Sequence, residues 1–307
     1  MAGIEGAVVV FPGQGSQVAG MADVWLTDPI GAAAIDEASE AFGRDLAEVA
    51  RDPAALATTA FAQPALLACG VAAWRVLAAA GLRPIAAAGH SLGEFAALVA
   101  ADVVDLVDAV RIVRLRGEVT QREADAHPGA MTALLGLGAE AASELCDVAR
   151  GDGVLLVANE NSPQQVVVSG TIPPIERLEA LAAERRVRTV RLQVAGGFHS
   201  PLMDGAVEPI RAAIAAVPFR SPRFPVASNV TGALVADPEE IRELLGRHVV
   251  SSVRWEGCIA ALVEAGATTF VEAGPGDVLT KLAKRVAPEA RAVAVGTPEG
   301  ARALLAG

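Results

Sequence analysis

The chain has 307 residues, enough for one large domain or a large one with a smaller partner, and 52% of them are hydrophobic, enough for a sizeable core. Aromatic residues reach only 4% and tyrosine is absent, so its helices must pack through Ala, Leu and Val. The net charge of −11 argues against a nucleic-acid partner, which demands a basic face. Uninterrupted apolar runs fall short of the roughly 18 residues that a membrane-spanning helix needs, so no membrane partner is expected. The opening stretch MAGIEGAVVVFPGQG has neither the basic start nor the long apolar core of a signal peptide. Cys69, Cys146 and Cys258 lie far apart with no CxxC pair. They read as reduced core thiols of a cytoplasmic protein, and neither a metal site nor a disulfide framework is expected.

In chain order, AVVVF (7–11) is a short buried strand that breaks into PGQGS. An Ala/Leu helix follows near 62–80, then a second buried strand, PIAAAG (84–89), which ends at HSLGE. Helices are predicted at about 92–100 and 103–122. Between 129 and 194 the pattern changes to strand, helix, strand, strand, helix, strand. That order is the βαββαβ unit of ferredoxin-like folds, and it predicts a small domain inserted at 129–194 in an α/β domain made of 1–128 and 195–307. Helices then fall at 201–217, 238–247 and 255–265. A strand near FPVAS, a strand TTFVEAG and a helix from about 276 complete the reading.

Gly89-His90-Ser91-Leu92-Gly93 fits G-x-S-x-G, with an apolar strand leading in and the helix EFAALVA leading out. Such a strand-to-helix turn places the serine on a sharp elbow, with Oγ exposed above the positive end of a helix. The same five letters in an ordinary turn would carry no chemistry. A serine nucleophile needs a base. The chain has four histidines: His90 adjoins the serine, His127 sits in a loop, and the residues alone leave His199 and His248 level. The Gly-x-Gly of FPGQGSQVAGM does not complete a dinucleotide fingerprint, and no G-K-[ST] follows it. An esterase or thioesterase would place its histidine near the C-terminus, which His199 does not fit.

The segments FPGQGSQ, GHSLGE, RLRGEVTQ, ANENSPQQVVVSG, GGFHSPLM, SNVTG, SSVRW and EAGPGDVLTKL occur in this order. Together they resemble the malonyl-CoA:acyl carrier protein transacylase family, among the acyltransferases of fatty-acid and polyketide synthesis. The resemblance covers nearly the whole chain. It implies a hydrolase-like α/β domain with a ferredoxin-like insert, malonyl-CoA as substrate and acyl carrier protein as partner. It implies no metal and no bound cofactor. By position it makes Ser91 the nucleophile and His199 the base. Arg116 becomes the partner of the malonyl carboxylate, Gln14 and Leu92 the backbone donors to the oxyanion, and Gln63 a pocket residue. Phe198 is the residue type found in malonyl-selective members. An always-charged planar guanidinium suits a carboxylate, though most arginines on such a helix are merely solvated.

Two positions depart from the family pattern: His248 stands where Gln is common, and Thr120 where Met is common. The family residue at 248 orients the catalytic histidine through its backbone carbonyl, a role that survives the substitution. For docking an acidic carrier, two basic patches are available. One is Arg185, Arg186, Arg188 and Arg191, with Arg186 and Arg188 expected on one strand face; the other is Lys281, Lys284 and Arg285.

Overall fold

The structure is a computed structural model and describes residues 4–306. Its strands are, in chain order, β1 (Ala7–Phe11), β2 (Ala86–Gly89), β3 (Gly129–Leu135), β4 (Leu155–Ser162), β5 (Gln165–Thr171), β6 (Arg188–Arg191), β7 (Val226–Ser228), β8 (Ala233–Val235), β9 (Thr269–Ala273) and β10 (Arg291–Val295). They form two sheets, of order β10-β9-β1-β2-β7-β8 and β4-β5-β3-β6.

The first sheet is parallel except for its edge strand β8, which pairs antiparallel with β7. Every residue of β1, β2 and β9 is buried. This is why those segments read as unbroken apolar runs rather than alternating ones: a parallel sheet is covered on both faces. One face carries Val9 and Phe11 against the helices Thr59–Ala80 and Leu106–Ala126. The other carries Val8 and Val10 against Trp255–Glu264 and Val278–Val286. The helix Thr59–Ala80 is long and apolar enough to cross a membrane by composition, yet 83% of its most apolar window is buried inside the fold.

The second sheet is antiparallel, and its strands and helices follow the βαββαβ order. Helices Ala139–Arg150 and Ile172–Glu184 cover one face, packing Leu145 and Leu178 on Leu134, Val166 and Val168. The other face presents Met131, Ala133 and Val167 to a cleft shared with the first sheet. The architecture is therefore a hydrolase-like α/β domain with a ferredoxin-like inserted domain. The two are stitched together along β4. Val253 N–H donates to Ala158 O at 2.8 Å, and Glu160 N–H donates to Val253 O at 2.8 Å. Two register shifts in β4 flank this contact and turn Asn159 and Asn161 inward as buried polar residues.

Candidate active site

The serine elbow is a consequence of close backbone packing. A Cβ on Gly89 would lie 1.9 Å from the Gly93 carbonyl, and one on Gly93 would lie 2.1 Å from Phe11 O. No side chain fits either place, so strand β2, the turn and the helix Gly93–Ala100 meet at their backbones. Ser91 pays for this with φ of 50°, a left-handed value uncommon for a non-glycine residue. The strain is held by Asn229, whose Oδ1 accepts the Ser91 N–H at 2.6 Å while its Nδ2 donates to Gly89 O at 2.8 Å.

Above the elbow, Ser91 Oγ stands 2.8 Å from His199 Nε2. His199 also has a left-handed backbone, φ 56°. Its Nδ1 faces two carbonyl oxygens, His248 O at 3.2 Å and Ser251 O at 3.0 Å. Both can only accept, so Nδ1 carries the hydrogen and Nε2 is free to accept the serine proton. Burial first, then the Arg116 charge, push the imidazole down to about 3 from an ordinary 6.5, so it is neutral at physiological pH.

Arg116 reaches the same point from the helix Leu106–Ala126. It is buried, and its Nη2 donates to Ser91 Oγ at 3.3 Å and its Nη1 to Gln63 Oε1 at 2.7 Å. Its Nε has no acceptor, and among the described residues no carboxylate is salt-bridged to it. Burial lowers the guanidinium to about 10, opposed by the charge of Glu94, and it stays cationic at neutral pH. Gln63 Nε2 passes the chain on to Gln14 Oε1 at 3.4 Å. Thr120 lines the cleft and turns its hydroxyl back to Arg116 O at 2.7 Å.

These groups line one cleft of about 510 Å³ between the two sheets. Gln14 and Leu92 border it beside Ser91, and among the described residues neither backbone N–H is spent on an internal acceptor. Phe198 lies at the seam, packed on both the main core and the cleft face of the insert. A neutral imidazole on a strained hydroxyl, two idle N–H donors and an unsatisfied cation together suit acyl transfer of a group that bears an anion. Among the described residues, no three His, Cys, Asp or Glu side chains are placed to hold a metal ion.

Residues 8–301 match the acyl transferase domain family. The chain belongs to that family. It is 39% identical to the malonyl CoA-acyl carrier protein transacylase of Bacillus subtilis over 295 residues, 94% of this chain and 93% of that protein. Its structure is similar to that of the malonyl-CoA:acyl carrier protein transacylase of Xanthomonas oryzae, with a TM-score of 0.95, 40% identity and 99% of each chain covered. It is also similar to the malonyl-transacylase solved in complex with its type II PKS acyl-carrier protein, with a TM-score of 0.93, 35% identity, and 98% and 99% covered.

Within this acyl transferase several functional contacts escape the sequence reading. Asn229 and Ser251 lie in SNVTG and SSVRW, stretches that the resemblance includes without giving either residue a task. His90 does not point idly away from the serine: its Nε2 lies 2.9 Å from Asn161 Oδ1 on β4, which ties the elbow to the insert. His127 is exposed, near Glu123.

The arginine patch also needs correction. Arg186 lies outside β6, in a left-handed turn with φ 58°, so it shares no strand face with Arg188. Arg191 is engaged by Glu179 through two bonds of 2.7 and 2.6 Å on the helix-covered face. Arg185 is exposed at the end of the helix Ile172–Glu184. Arg188 lies on the cleft face of β6, opposite Leu135, which is opposite Gln165. Gln165 is hydrogen-bonded by Arg285. Arg188 and Arg285 thus lie along one rim.

Proposed function

We propose that this chain transfers a malonyl group from malonyl-CoA to the phosphopantetheine thiol of acyl carrier protein, through a malonyl-Ser91 intermediate. The observation that carries this reading is the buried Arg116 guanidinium, short of a carboxylate and 3.3 Å from the nucleophilic oxygen. In the first half-reaction, His199 Nε2 takes the Ser91 proton as Oγ bonds to the thioester carbon. The oxyanion faces the Gln14 and Leu92 N–H groups; losing one such donor costs about 2.7–4 kcal/mol. The carbon–sulfur bond breaks, and CoA leaves as a thiol with the proton from Nε2. In the second, the carrier thiol gives its proton to Nε2, attacks the ester, and Ser91 leaves with that proton. Arg116 turns from Gln63 and Ser91 Oγ to the acyl carboxylate, while Phe198 and Gln63 bound the acyl pocket. Every proton and charge has a protein group to go to, so no step is assigned to a metal or cofactor.

We place the inserted unit at 129–194 and the enzyme in the cytoplasm; the three buried free cysteines support the latter. Intact-protein mass after mixing with malonyl-CoA tests the whole reading. A malonyl adduct on the wild type, absent from Ser91→Ala, is expected. Release of CoA with no adduct on the wild type would point to a hydrolase instead. A second reading, service to a polyketide carrier, is favoured by the likeness to the type II PKS transacylase. Comparing kcat/KM for fatty-acid and polyketide carriers decides between the pathways.

A further inference from the structure

Behind the elbow lies a second imidazole that the reaction above does not use. His248 is 1% exposed, and its ring sits 5.3 Å from that of His199 in an edge-on arrangement. Its Nε2 is 3.4 Å from Asn229 Oδ1 and 3.6 Å from Glu94 Oε2; its Nδ1 has no partner. The neighbours decide where its hydrogen is. Asn229 already donates its Nδ2 to Gly89 O and accepts the Ser91 N–H on Oδ1, so the oxygen is the end that faces His248. Glu94 Oε2 takes the Asn229 N–H at 3.0 Å, and burial pushes that carboxyl up to about 8, so Glu94 does not fix the tautomer. The amide oxygen of Asn229 can only accept, so Nε2 carries the hydrogen that faces it. Protonating Nδ1 as well would bury an unpartnered N–H and a charge beside Arg116 and His199, which is costly.

We propose that the His248 imidazole, held as the Nε2–H tautomer, is a positioning residue for Ser91, acting through Asn229. The inference rests on the reading of Ser91 and His199 as the reacting pair. One residue then steers both members. Its carbonyl accepts the His199 Nδ1–H, and its ring donates to the amide oxygen that grips the strained Ser91 N–H. The ring–Asn229 bond is long, but among the described residues it is the ring's only hydrogen bond, and it closes the path from one side of the 2.8 Å Ser91–His199 contact to the other. Removing the donor leaves Asn229 Oδ1 held from one side only, and the elbow loses its register with the base.

The test pairs two variants with one spectrum. His248→Leu keeps the backbone carbonyl and removes the donor; His248→Gln supplies an amide N–H to the same oxygen. Single-turnover malonyl-adduct formation should slow by about tenfold to a hundredfold in His248→Leu, the scale of one buried hydrogen bond. KM for malonyl-CoA should stay within about twofold, because His248 does not line the cleft. His248→Gln should recover most of the rate. Histidine-selective nitrogen NMR of the wild type, assigned by the signal missing from His248→Gln, should show the Nε2–H tautomer throughout the folded pH range. A His248→Leu enzyme that acylates at the wild-type rate overturns the proposal. So does an Nδ1–H tautomer, which holds even if His248→Leu fails to fold. An adduct persisting on Ser91→Ala would sink the reaction reading instead, and leaves the tautomer result standing on its own.

Discussion

The two walls of the cleft are built on opposite terms. On the α/β side, backbone meets backbone: no Cβ fits at Gly89 or Gly93, Ser91 and His199 both hold left-handed conformations, and buried polar bonds fix each of them. On the insert side, Met131, Ala133 and Val167 offer an apolar face flanked by Asn159, Asn161 and Gln165, with Arg188 at its edge. The first wall stores strain at defined atoms. The second has no strained residue touching the reacting pair and is stitched to the first through β4. The strained pair and the buried Arg116 thus belong to one wall, while the other adds apolar surface and a rim charge.

Substitutions test that division, and the largest effect belongs to the rigid wall. Ser91→Ala should fold normally and form no malonyl adduct by intact mass; an adduct of undiminished yield would move the nucleophile elsewhere. Arg116→Ala should weaken malonyl transfer by about 2–5 kcal/mol in kcat/KM, as for loss of one partner of a buried charge pair. Acetyl transfer should change far less, because acetyl brings no carboxylate. An equal fall for both acyl groups would make Arg116 structural.

The pH dependence comes next. With His199 at about 3, malonyl-adduct formation should not slow as pH falls through 6.5. Stability should respond instead. A depressed folded-state value means that the unfolded chain binds the proton first. The contribution of His199 is therefore fully present above 6.5 and is lost as pH falls toward 3. His90 and His248 shift the same way, so His199→Gln should reduce the slope of melting temperature against pH without abolishing it. A slope unchanged in that variant would refute the shift.

The smallest effect belongs to the insert. Arg188→Glu should raise KM for the carrier by about a fewfold and flatten its salt dependence, as expected of a rim charge, and leave the malonyl-CoA half-reaction intact. An unchanged carrier KM at low salt would remove Arg188 from the docking face.

Much of this division was legible in the sequence, and the remainder was not for physical reasons. The strands β1 and β2 and the helix after Ser91 announce themselves because burial on both faces makes continuous apolar runs. The βαββαβ order was equally plain, since its helices are amphipathic and its turns are marked by glycine and proline. The helices Asp23–Leu26, Leu46–Arg51 and Pro53–Leu56 were missed because four to six residues do not complete two helical turns, so no period develops. The 14-residue helix Pro29–Phe42 was missed as well, because its buried face is mostly Gly and Ala and contrasts weakly with the exposed one. The edge strands β8 and β10 were missed because they are short and half exposed. The serine is local and could be read from its own turn. Its partners are not: His199 lies 108 positions from Ser91 and Asn229 lies 138, and nothing near either residue says that it points at the serine. Only the ordered set of family segments suggested His199, and it assigned Asn229 nothing.

The unpartnered Nε of Arg116 has a consequence beyond the choice of acyl group. Among the described residues this buried cation has no carboxylate bonded to it, so the resting cleft should attract small carboxylates that fit about 510 Å³. Acetate and citrate in an assay medium are then expected to compete with malonyl-CoA. So is free malonate, the product whenever water instead of a thiol takes the acyl group, and each such leak would occupy the site that produced it.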